Sequence, residues 1–139
     1  EEDTGANLRS TEIVNSYGSE ASEDLPFSIL YHCTLKINRT TALITGGRPN
    51  RQFSSDATWF VDLFSFKISQ GPRLQIGRKV HGCTTLNLGG KNYGIITGGL
   101  KYEPNYRDLD TTEILDLQDL QANNAIWKPG KQLKNITLI

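Results

Sequence analysis

The chain has 139 residues in which 15 basic side chains cancel 15 acidic ones, so it lacks the cationic surface that nucleic acid or an anionic membrane would attract. No apolar stretch approaches the roughly 18 residues of a membrane span. The acidic start, Glu1-Glu2-Asp3, has neither the basic nor the apolar region of a secretory signal, which leaves the compartment open between secreted and cytoplasmic.

Taken in chain order, the sequence repeats itself. Thr11-Glu12-Ile13-Val14-Asn15 opens the chain as a partial copy of a segment that returns twice. Leu25-Pro26 precedes His32, and from His32 to Ile37 the residues alternate, with Cys33, Leu35 and Ile37 on one face. That is the period of a half-buried strand. A turn at Asn38-Arg39-Thr40 leads into Ala42-Leu43-Ile44-Thr45, a short buried strand that ends in Gly46-Gly47. Two residues without Cβ allow both a positive φ and a close backbone approach. A polar loop follows, then Thr58-Trp59-Phe60-Val61-Asp62-Leu63 and Phe66-Lys67-Ile68, with Gly71 and Leu74 behind.

The same landmarks then recur. Leu74 leads to His81, Gly94-Ile95-Ile96-Thr97 ends in Gly98-Gly99, Thr112-Glu113-Ile114-Leu115-Asp116-Leu117 answers the Trp59 segment, and Trp127, Gly130 and Leu133 answer Ile68, Gly71 and Leu74. The period is 49 residues at the histidines, 52 at the glycine pairs, 54 at the aspartates and 59 at Trp127. The drift falls where turns lengthen. Each copy supplies four short strands and no helix, which is how a propeller blade reads in sequence.

In its order of Leu-Pro, His, double Gly, Thr with an apolar pair and Asp, then a large apolar residue with Gly, the chain resembles the kelch repeat over nearly its whole length. The resemblance implies an all-β fold, with kelch-type β-propeller blades of four antiparallel strands. By this count residues 11–24 end one blade, 25–73 and 74–132 are whole blades, and 133–139 start another. A ring of four to eight blades needs roughly 200 to 400 residues. The expectation is therefore an incomplete ring, a piece of a larger propeller whose remaining blades come from the same or another chain. The resemblance also frames the function: a protein–protein interaction scaffold, more than an enzyme. The alternatives are a piece of a galactose-oxidase-like enzyme and an accessory domain fused to a methyltransferase.

Residues held at the same place in both copies read as structural. His32 and His81 share one position and are expected to pack and hydrogen-bond. Asp62 and Asp116 end their strands, where a carboxylate accepts turn N–H groups. No catalytic residue, metal site or cofactor is expected: two His and two Cys on alternating strand positions make neither a nucleophile pair nor a ready zinc set. Cys33 aligns with Gly82 and Cys83 with Thr34, so the cysteines lie one residue out of step. Opposite faces of equivalent strands favour two free, buried thiols, with a bridge requiring a bulge to restore the phase.

Residues that differ between the copies are the candidates for binding. The loop after the first glycine pair offers Arg48, Arg51, Phe53 and Asp56, and the one after the second offers Lys101, Tyr102, Tyr106 and Arg107. In kelch-type propellers these loops lie on a face where partners bind. The segment leading into the next blade joins them there and contributes Arg73, Arg78 and Lys79. Arg and aromatic residues dominate interface hot spots, so the expected partner is a protein. Asn38 and Asn135 head the sequons Asn38-Arg39-Thr40 and Asn135-Ile136-Thr137. Two sequons are what this composition gives by chance, and only Asn38 has a placement, in a hairpin turn, that favours use.

Overall fold

The computed structural model describes residues 12–15, 17–21, 29–49, 53–122 and 124–130. Strands β1 (Glu12–Asn15) and β2 (Gly18–Ala21) form a hairpin. Strands β3 (Cys33–Lys36), β4 (Thr41–Thr45), β5 (Thr58–Asp62) and β6 (Ile68–Gln70) build an antiparallel sheet in sequence order. The second copy begins with β7 (Gly82–Leu88) and β8 (Lys91–Thr97). It detours through a hairpin of β9 (Leu100–Glu103) and β10 (Asn105–Asp108), then returns as β11 (Thr112–Asp116) and β12 (Lys128–Pro129). Its main sheet runs β7-β8-β11-β12, again four antiparallel strands in blade order. The described residues close no ring. A single 3-10 turn, Asp119–Ala122, is the one helical element among them.

The two sheets stack face against face. The side of the first sheet that carries Leu35, Leu43 and Phe60 meets the side of the second that carries Cys83, Ile96 and Leu115, with Leu74, Leu117 and Trp127 completing the core. Leu43, Ile96, Leu115 and Trp127 have no exposed surface, and burying side chains of this size contributes about 1.5–3 kcal/mol each. The Trp127 indole N–H donates to the Pro72 carbonyl at 3.1 Å, pinning the last strand of the second sheet to the end of the first. A second cluster, Ile29, Ile44 and Val61, covers the other side of the first sheet.

The glycine pairs have the same conformation in both copies: φ is 61° and 92° at Gly46 and Gly47, and 63° and 90° at Gly98 and Gly99. Close approach adds to the constraint. A Cβ on Gly46 would come to 2.5 Å of the Arg78 carbonyl, and one on Gly99 to 2.6 Å of the Lys79 carbonyl. The repeat extends to features invisible in the composition. Leu30 bridges Arg48 as Lys79 bridges Leu100, and Tyr31 and Val80, 49 positions apart, both adopt left-handed φ values of 58° and 54°.

Cys33 and Cys83 form a disulfide with a Cα–Cα distance of 6.1 Å, against the expectation of free thiols. The phase difference is real: Cys33 pairs with Thr45 and Cys83 with Ile96, whereas the partner of Thr97 is Gly82. Its meaning was the reverse of the one expected. Consecutive sheets meet front to back, so residues on opposite faces of equivalent strands point at each other, and no bulge is needed.

His81 is buried, and its Nε2 lies 2.8 Å from Thr45 Oγ1 of the preceding sheet. The Thr45 hydroxyl donates its one proton to the Cys33 carbonyl at 3.1 Å, which leaves His81 Nε2 as the donor of the bond to Thr45. Nδ1 is buried with no hydrogen-bond partner to receive a second proton, so the neutral ring is the favoured form. Burial first, then the neighbouring Arg78 and His32 charges, push its pKa from 6.5 down to about 4. A folded-state value below the unfolded one means that the unfolded chain takes up the proton first. Stability is full above pH 6.5 and falls as pH drops towards 4, by about 3 kcal/mol for this residue. Urea unfolding at pH 7 and pH 4 should show that loss in the native chain and a correspondingly smaller one in His81→Gln. Asp62 and Asp116 act as turn acceptors: Asp62 Oδ1 takes the N–H groups of Phe64 (2.8 Å) and Ser65 (3.0 Å), and Asp116 Oδ1 takes that of Gln118 (3.0 Å).

A candidate interaction surface at the glycine-pair end

At the end of the sheets where the glycine pairs lie, three segments converge. The first is Tyr31 and Arg48, joined through the Leu30–Arg48 bridge. The second is the connection from sheet to sheet, which carries Lys79. The third is the β9–β10 hairpin, whose register sets Tyr106 opposite Tyr102 and Arg107 opposite Lys101. Ser54, buried in the β4–β5 loop, ties the hairpin down by accepting the Tyr102 N–H at 3.0 Å.

The side chains form a continuous chain of cations and rings. The Arg48 guanidinium lies 5.4 Å from the Tyr31 ring centre, the Lys79 ammonium 5.4 Å from the same ring and 3.7 Å from that of Tyr106, and Tyr106 meets Tyr102 edge to face at 5.2 Å. Each such cation–ring contact contributes about 0.5–2 kcal/mol, more as water is removed. Burial pushes the Tyr106 hydroxyl up, but the stronger opposing pull of Lys79 and Arg48 leaves it below its ordinary value. Lys101 holds the Glu103 carboxyl below the usual carboxylate range, assisted by Arg107, at 3.0 Å and 3.8 Å respectively. Tyr31 and Phe53 are each 49% exposed and Tyr106 40%. The face thus offers the rings of Tyr31 and Tyr106 beside Arg48 and Lys79, while Lys101 and Arg107 lie on the opposite face of the hairpin, paired with Glu103.

Of the residues singled out in sequence, the structure gathers Arg48, Tyr102 and Tyr106 into this cluster, with Lys101 and Arg107 on the same hairpin. Asp56 is instead engaged with Arg73 at 2.5 Å. Arg51 and Asn135 lie outside the described residues. Arg78 must be withdrawn as a contact residue, because it has no exposed surface. Its guanidinium pairs with Glu113 at 2.8 Å and donates to the carbonyls of Gly98 (2.9 Å) and Thr111 (3.1 Å). Burial lowers the Arg78 pKa and the Glu113 charge opposes the change.

Sequence reasoning passed over Tyr31. Its signal was its place directly before His32, where the chain enters the sheet. The β9–β10 hairpin was expected as a loop, although Leu100, Tyr102 and Tyr106 alternate around Pro104-Asn105, a turn dipeptide between strand-forming residues.

Elsewhere, a cleft of about 190 Å³ opens between the sheets at their outer strands, lined by Phe60, Gln70, Gly71, Pro72, Leu120 and Ala125, none of them titratable. No three His, Cys, Asp or Glu side chains among the described residues gather where they could hold a metal ion, and no described helix is long and apolar enough to cross a membrane. Comparison with protein-family models and with curated proteins finds no match to the chain.

Proposed function

We propose that the chain is a segment of a kelch-type propeller that serves as a protein-interaction scaffold and binds its partner through the glycine-pair end of the sheets, with further blades completing the ring. The observation that carries this reading is the convergence of non-repeating Arg and Tyr side chains from two sheets onto one exposed face, held by backbone and cation–ring contacts. Rigid sheets presenting variable loops suit recognition. Tyr and Arg supply large contact area with orientable hydrogen bonds at little cost in side-chain ordering. The repeating residues, by contrast, are spent on packing one sheet against the next.

In Arg48→Ala and Tyr106→Ala, affinity for a partner isolated on the native chain should fall about tenfold or more, with the fold retained and the melting temperature lowered by only a few degrees through the lost cation–ring contacts. Phe64→Ala serves as the control, since Phe64 is 78% exposed in the β5–β6 turn at the other end of the sheet. A partner that binds all three variants as it binds the native chain overturns the proposal.

A further inference from the structure

We infer that Asn38 is an N-glycan acceptor, and that the chain matures in an oxidising, glycosylating compartment. Two independent observations lead there. The first is the Cys33–Cys83 disulfide, which joins sheet to sheet and accounts for both cysteines of the chain. Disulfides of this structural kind form and persist where the redox environment is oxidising, and are rare where glutathione keeps thiols reduced.

The second observation is the geometry of the Asn38-Arg39-Thr40 sequon. Asn38 and Arg39 are exposed in the β3–β4 turn. Asn38 Oδ1 accepts both the Thr40 N–H (2.8 Å) and the Thr40 hydroxyl (2.9 Å). Both bonds use the amide oxygen, so the nitrogen, Nδ2, can carry a sugar without losing either. In the transfer, Nδ2 bonds to the anomeric carbon of a lipid-diphosphate-linked oligosaccharide and gives up one proton. The bond from that carbon to the diphosphate oxygen breaks, and the lipid diphosphate leaves with the electron pair. No oxidant or reductant enters the step.

The position also suits the rest of the molecule. Cys33 pairs with Thr45 at the glycine-pair end of the β3–β4 ladder, while Lys36 pairs with Ala42 at the turn end. The four steps from Thr41 to Thr45 separate the two ends by about 13 Å. A glycan on Asn38 therefore projects away from the Tyr31, Arg48 and Tyr106 face.

The test is to secrete the chain behind a signal sequence from glycosylating cells and map its peptides before and after amidase removal of N-glycans, which converts a glycosylated Asn to Asp. The expected map shows Asn38 converted and a Cys33–Cys83 cross-linked peptide. Conversion should persist in Thr40→Ser and vanish in Thr40→Ala and Asn38→Gln, all three still secreted with the bridge. Secreted native protein with the bridge formed and Asn38 bare overturns the acceptor assignment. Secreted protein with Cys33 and Cys83 reduced removes the compartment argument.

Discussion

Glu113→Ala lowers the unfolding free energy by about 3–5 kcal/mol, the cost of stranding a buried charge, read as a drop in the urea midpoint with an unchanged slope. Arg78 has no exposed surface and Glu113 is 2% exposed, so neither charge can recover its loss by turning towards water. Glu113 also accepts the backbone N–H groups of Gln75 at 2.6 Å and Ile76 at 3.3 Å, which belong to the segment leaving the first sheet. Its removal therefore orphans a guanidinium and two amides together. For that reason the paired change Arg78→Met with Glu113→Leu should not restore native stability, although apolar replacement of a buried ion pair can be neutral or stabilising elsewhere. Full recovery in the double variant would show that the backbone bonds contribute nothing.

Cys33→Ser with Cys83→Ser lowers stability by about 2–4 kcal/mol. The bridge spans a sequence separation of 50, and removing the crosslink returns the corresponding loop entropy to the unfolded chain. The same loss should follow reduction of the native chain. The two sheets should stay stacked at neutral pH, because the Leu35–Ile96–Trp127 core and the Thr45–His81 bond remain. Equal stability of the native and double-serine chains would place the bridge outside the folding energetics.

Much of this architecture was legible because period-2 alternation and paired glycines report local backbone requirements. Leu35, Leu43 and Ile96 were placed in buried strands from pattern alone, and the left-handed values at Gly46, Gly47, Gly98 and Gly99 are what their lack of Cβ permits. The disulfide was misread because strand phase says which face a residue occupies, and only the stacking of sheets says which faces meet. Arg78 misled for a related reason: a cation in a polar connection looks solvated until its partner, Glu113, arrives from 35 positions along the chain. The cluster of Tyr31, Arg48, Lys79 and Tyr106 could not be read in advance. Its members come from three segments, and their proximity is a product of the fold.

In the second sheet Gly82 stands where the first has Cys33, and in the first sheet Thr34 stands where the second has Cys83. Sulfur therefore meets sulfur only when the front of the first sheet lies on the back of the second. A swapped or reversed stacking, the characteristic error of repeat chains, would bring Thr34 to Gly82 and could close no bond. The bridge can therefore close only in the stacking observed here, with the Cys33 face of the first sheet against the Cys83 face of the second.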